Sequence, residues 1–177
     1  QVREDIGYTF ESALRSFLRQ DPEVILVGEI RDKATVDIAL KAALTGHLVF
    51  STIHTNDAPS TITRLQNMGT PDYLISAACS LIIAQRLARK TCTDCRVPDE
   101  KVNPKILSSI GFTPEQASRI KPVMGDGCEK CNPGGKKARA GYKGRMGIYE
   151  ILKVTKNVKS AILRKATTQE IKEAALK

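Results

Sequence analysis

Four of the five cysteines fall into two C-x-x-C pairs, Cys92 and Cys95 in CTDC and Cys128 and Cys131 in CEKC, with 32 residues between the pairs. Each pair can fold into a knuckle that presents two thiolates to one metal ion. Two pairs then make a closed tetrahedral site of four thiolates, with Zn–S distances of about 2.3 Å and no open position for a catalytic water. The gap is longer than in a typical zinc ribbon. Disulfides, a redox motif and an iron–sulfur cluster are the alternatives. The odd cysteine count, and the lack of a basic-then-apolar leader in these residues, weigh against disulfides. The expectation is one structural Zn²⁺ on Cys92, Cys95, Cys128 and Cys131. Cys79, beside Ala77 and Ala78, reads as a small buried hydrophobe.

A second constellation lies upstream. In VILVGEIRD, residues 24–32, an aliphatic run ends in Gly28 and the carboxylate of Glu29. In LVFSTIH, residues 48–54, a second apolar run ends in Ser51, Thr52 and His54. In an open parallel sheet, ligands bind off the carboxyl ends of the strands. If these two strands are neighbours, a carboxylate, two hydroxyls and an imidazole converge on one edge. A carboxylate there can orient or deprotonate an attacking water, and an imidazole can sense a terminal phosphate. Each residue also has a blander reading. A strand ending in Gly-Glu is usually only a strand, and a loop histidine is usually satisfied by its neighbours. The partner device, a G-x-x-x-x-G-K-[ST] phosphate loop, does not occur in these 177 residues; its nearest imitation is PGGKKA.

These residues need elements to hold them. Phe10, Leu14, Phe17 and Leu18 share a helical face with Thr9 as cap, and Pro22 should close that helix. Val24–Val27 and residues 48–53 read as short buried strands. Between them, Asp32 caps a helix with Val36, Ala39, Leu40 and Ala43 on its apolar face and Gly46 as its stop. Asp57 caps the next, with Pro59 in its first turn and Gly69 at its end. Strand, helix, strand, helix with short connections argues for parallel strands joined by helical crossovers. A helix follows from Pro71 to about Ala78; IIAQRLARK fits either a helix or a strand, and strand is the reading preferred. Short helices are expected at Pro104–Ile110 and Pro114–Ile120. GYKGRMGIYEIL reads as a strand kinked by glycines. Thr155 and Thr168 read as caps of two closing helices, and residues 132–141 as a loop.

Charge is uneven. The net charge of +9 divides into −3 over residues 1–85, +8 over 86–147 and +4 over 148–177. The sign change near Arg86 suggests a boundary. A basic, cysteine-paired chain can be a nucleic-acid module. Against that, zinc thiolates lower the basic stretch to +6, and it holds just two aromatics, Phe112 and Tyr142, for stacking bases. A solvated face, or a surface docking a partner or an anionic membrane, is the reading preferred. At 41% hydrophobic and 27% charged, without an apolar run near the ~20 residues that span a bilayer, the sequence is that of a globular chain.

Together, LRQDPEVILVGEIRD, ALTGHLVFSTIHTNDA and AQRLARKTC resemble the secretion ATPase family, which drives type IV pilus assembly and type II secretion. The resemblance covers essentially the whole chain. The four-cysteine insert aligns it with the pilus-extension and type II secretion ATPases rather than with retraction motors. It implies an α/β fold: the second half of a RecA-like P-loop ATPase domain, with a small tetracysteine zinc-binding appendage and closing helices. Residues 1–90 would form the ATPase half, 91–141 the tetracysteine region, and 142–177 a strand plus closing helices. The acid-ending strand becomes the Walker B motif, with Glu29 acting on water. GHLVFSTIHTNDA becomes the histidine box, with His47 and His54 at the matching positions. Arg64 and Arg145 match family arginines expected near the nucleotide. The phosphate loop and the Asp box are expected upstream, and further closing helices beyond Lys177. The implied parent uses ATP and Mg²⁺, forms a homo-hexamer, and sits in the cytoplasm against an inner-membrane platform protein, without nucleic acid. The rival is a zinc-stabilised docking module without catalysis.

Overall fold

Short polar residues cap most of the helices, and four of these caps, Thr9, Asp32, Asp57 and Thr155, are the ones the sequence assigns. The computed structural model describes residues 3–133 and 141–177. Thr9 accepts from the Ser12 N–H at the head of α1 (Phe10–Phe17). After β1 (Val24–Val27), Asp32 accepts from the Thr35 N–H at the head of α2 (Lys33–Leu44). After β2 (Leu48–Ser51), Asp57 accepts from the Ser60 N–H at the head of α3 (Ala58–Asn67). Each cap satisfies a donor that the first helical turn leaves without a partner. β1 and β2 pair in parallel, with Val24 opposite Leu48 and Val27 opposite Ser51. Then come α4 (Asp72–Ala78), β3 (Leu81–Thr91), β4 (Arg96–Pro98), α5 (Pro104–Ser109) and α6 (Pro114–Arg119). β5 (Val123–Gly125), β6 (Tyr142–Lys153), α7 (Lys156–Leu163) and α8 (Thr168–Ala175) complete the order.

The chain divides into two units, residues 1–85 with 149–177, and residues 86–148. β3 pairs with β6, and each strand is shared between the units. In the first unit the main core joins Val36 and Leu40 of α2, Ile62 and Leu65 of α3, and Ile75 of α4. Leu152, Val158, Ile162 and Ile171 from the C-terminal segment complete it. A smaller cluster packs Leu14 of α1 against Val27, Ile38 and Ala39. Cys79 packs partly buried against the main core, and burial pushes its thiol up to about 11. In the second unit, β4 and β5 form an antiparallel pair, with Arg96 opposite Gly125 and Pro98 opposite Val123. Only Leu107, Ala117, Cys92 and Cys131 are buried hydrophobics there among the described residues.

Several expectations are corrected. β1 and β2 are strands but not buried ones: Leu26 is 75% exposed, and Val24, Leu48 and Phe50 are exposed with it. α1 and α2 cover one face of this two-stranded sheet, through Val27 and its neighbours, and leave the other face open. α1 does not run to Pro22; it ends at Phe17, passes through a 3-10 turn over Leu18–Gln20, and is reversed by Asp21 in the left-handed region. The cap of α8 is Thr167, not Thr168. Thr167 and Glu170 form a reciprocal capping box, while the Thr168 hydroxyl pairs with that of Thr63 at 3.0 Å. β4 and β5 have no counterpart in the sequence reading. Most of the loop expected at 132–141 lies outside the described residues.

Candidate functional site

Parallel pairing of β1 with β2 brings their carboxyl ends side by side. Past those ends the Ile30 N–H donates to the Thr52 carbonyl at 2.9 Å, and the Thr52 hydroxyl donates to the Gly28 carbonyl at 2.6 Å. These two bonds tie the segment after β1 to the segment after β2. They set Glu29 against His54, with Oε1 3.0 Å from Nε2. The Glu29 side chain is 23% exposed and that of His54 92% exposed, so a half-sheltered carboxylate carries a solvent-facing imidazole.

Arg31 joins them. Its Nε donates to Glu29 Oε2 at 2.7 Å and its Nη2 lies 2.6 Å from the same oxygen. That hydrogen bond, opposed by partial burial and aided by the charges on Arg31 and His54, holds the Glu29 carboxyl below its ordinary 4.5. A carboxylate held in its charged form is a better hydrogen-bond acceptor than proton carrier at neutral pH. The geometry therefore suits orienting a water better than stripping it. Composition and strand periodicity do not single out Arg31. The signal was its place two residues after Glu29 in GEIRD, where irregular backbone beyond a strand lets the two side chains meet.

His47 stands apart from this pair. It precedes β2, so the four strand residues, at about 3.3 Å each, separate it from the edge where Glu29 lies. Its Nδ1 lies 3.0 Å from the Ala42 carbonyl and 3.1 Å from the Thr45 hydroxyl, at the end of α2. The Thr52 hydroxyl is committed to Gly28, and the Ser51 hydroxyl lies 3.4 Å from the Thr52 carbonyl. Arg64 is exposed in the last turn of α3. Arg145 is exposed on the part of β6 that belongs to the second unit.

The four paired cysteines do converge. All four Sγ atoms lie within 4.8 Å of one another. Cys92 and Cys128 are 3.9 Å apart, Cys95 and Cys131 3.7 Å, and Cys128 and Cys131 3.7 Å. A tetrahedron of sulfurs about 2.3 Å from a central zinc has edges of about 3.8 Å, whereas a disulfide needs about 2.05 Å. The donor set thus fits a tetrahedral thiolate metal. Backbone donors aim at two of the sulfurs, Gly127 N–H at Cys95 and Cys128 N–H at Cys131, both at 3.3 Å. The Cys128 N–H brings the Cys131 thiol down to about 7, while burial pushes that of Cys95 up to about 12. Lys130 of one knuckle pairs with Asp94 of the other at 2.6 Å. Elsewhere in this unit the Arg89 guanidinium lies over the Tyr142 ring, 4.2 Å from its centroid, so one face of the ring is already covered.

The model of the type II/IV secretion system protein family matches residues 1–177. Among curated relatives, the type IV pilus assembly ATPase PilB of Myxococcus xanthus is 45% identical over 177 residues, covering 100% of this chain and 30% of the relative. The type II secretion system protein E of Aeromonas hydrophila is 44% identical over 163 residues, covering 92% of this chain and 30% of the relative. Among solved structures, the pilus retraction motor PilT with bound ADP superposes with a TM-score of 0.58 at 30% identity, over 94% of this chain and 36% of that one. This chain therefore spans about a third of the length of proteins it resembles.

Proposed function

The chain belongs to the type II/IV secretion system protein family, and from that premise we propose that it is the C-terminal part of a motor ATPase that powers type IV pilus assembly or type II secretion. The observation that carries this reading is the Glu29–His54 pair off the carboxyl ends of two adjacent parallel strands. ATP and Mg²⁺ belong to the parent. The phosphate-cradling loop is not among these residues, so this chain's share is the side of the site where water is handled. Glu29, steadied by Arg31, accepts a hydrogen bond from the attacking water and orients it. His54, bonded to Glu29 and open to solvent, faces the terminal phosphate. Arg64 and Arg145 are read as guanidiniums for the nucleotide, whose planar fork suits phosphoryl oxygens, and His47 as a second histidine-box residue. The open apolar face of β1 and β2 supports a further layer packed on it in the parent.

Residues 1–90 then serve as the second half of the RecA-like ATPase domain, 91–141 as a zinc region and 142–177 as its closing segment. Zinc on Cys92, Cys95, Cys128 and Cys131 leaves no coordination site open, so its contribution is structural. The parent acts as a homo-hexamer on the cytoplasmic face of the inner membrane, docked to a platform protein. Among the described residues no helix is long and apolar enough to cross a membrane. The test is ATP turnover by the parent and by this chain side by side. The parent should hydrolyse ATP, and the chain without a phosphate loop should not. A parent that binds its partners but never turns over ATP would favour a docking module.

A further inference from the structure

The structure assigns Glu150 a positioning role: its carboxylate anchors the head of α3 and thereby holds His54 against Glu29. Glu150 is 92 residues from α3 in sequence, yet its Oε2 accepts from the Ala58 N–H at 2.7 Å. Ala58 is fully buried, so no water can replace that acceptor. The rest of the first turn needs nothing more. Pro59 has no N–H, and the Ser60 N–H is taken by Asp57 at 2.7 Å. Two carboxylates thus fill the positive end of α3, which leaves it no role as an anion site. They instead fix where the preceding loop ends.

That loop, residues 52–57, carries His54. Its upstream end is tied to β1 through Thr52 and Gly28. Downstream, the Thr55 hydroxyl bonds to the Thr61 hydroxyl at 2.9 Å and to the Asp57 carbonyl at 3.2 Å, both within the loop and α3. Glu150 supplies a side-chain tie from the head of α3 to β6. At 92% exposure the imidazole of His54 has no packing of its own to hold it, so the loop ends determine whether it reaches Glu29. Without the carboxylate, the Ala58 N–H is left buried and unpaired, and the loop end must shift to find water.

This role rests on the Glu29–His54 pair read above, and the experiment separates the two. The chain holds just two histidines, so labelled imidazoles give two resolvable signals. At fixed pH, Glu29→Gln should move the His54 signal in the otherwise native chain. The same substitution should move it as far in a Glu150→Gln background, because the amide oxygen still accepts. In Glu150→Asp, whose arm is one methylene short, and in Glu150→Ala, the response should fall at least several-fold. Exchange of the Ala58 amide should quicken in those two variants alone. If Glu150→Ala does not fold, Glu150→Asp decides. An undiminished His54 response in Glu150→Asp overturns the positioning role while leaving the pair intact. No response in the native background overturns the pair itself and the role with it.

Discussion

The two units hold themselves together by different means. The first buries aliphatic side chains from α2, α3, α4, α7 and α8 in one cluster, with Ile62, Ile75, Ile162 and Ile171 fully removed from water. The second, among its described residues, buries Leu107 and Ala117 and otherwise two thiols, Cys92 and Cys131. A buried leucine contributes about 1.5–3 kcal/mol, while fixing each backbone residue costs about 1–2 kcal/mol. A core that small leaves most of the ordering cost unmet. A tetrahedral metal on four thiolates can meet it, since structural zinc binding is worth on the order of 10 kcal/mol in small modules. The Glu29–His54 pair thus lies on the unit with the aliphatic core, whereas a metal on the four thiolates would hold the unit whose own core is thin.

Metal removal should break this comparison most visibly. Cys128→Ser, or treatment with a strong chelator, should abolish amide protection across residues 86–133 and 141–148 while α2, α3 and α7 keep theirs. Elemental analysis of the native chain after dialysis should give about one zinc per chain. A metal-free chain with both units protected would erase the distinction. The reverse experiment is Ile162→Ala. It removes a fully buried side chain from the first unit and should cost about 2–5 kcal/mol there, with zinc content unchanged. Thermal unfolding followed beside zinc retention would register both halves of that expectation.

The smallest effect sharpens the comparison at the surface of α8. The Thr167 N–H and hydroxyl hold the Glu170 carboxyl below its ordinary 4.5. A carboxyl lowered on folding stabilises above the unfolded value, and that gain disappears as pH falls through the folded value. Thr167→Ala should cost about 1 kcal/mol at neutral pH. The stability gap between native chain and Glu170→Ala should narrow as pH drops from about 5 to 3. Thermal midpoints across that range check it, and zinc content at neutral pH should not respond to either substitution.

Local chemistry made the helices legible. Thr9, Asp32, Asp57 and Thr155 all cap as their types and spacing imply. Thr168 was the wrong neighbour of two threonines, although Glu170 three residues after Thr167 spells a capping box. The four-cysteine cluster and the Glu29–His54 edge could also be read, because paired spacing and parallel strand order each bring side chains together without long-range knowledge. Burial of β1 and β2 could not, since an apolar strand reports its composition and not how many faces are covered. Arg31 on Glu29 depended on irregular backbone, and Glu150 on Ala58 on a contact spanning 92 residues. No periodicity encodes such pairs.

The central claim is that the carboxylate past β1 orients the water that attacks ATP in the parent motor. Glu29→Gln in the full-length parent keeps the shape and removes the charge. Measured together, nucleotide affinity and steady-state turnover should separate: ATP should bind as in the native parent and be hydrolysed at least about 100-fold more slowly. Near-native turnover by that variant, with ordinary binding, would contradict the account.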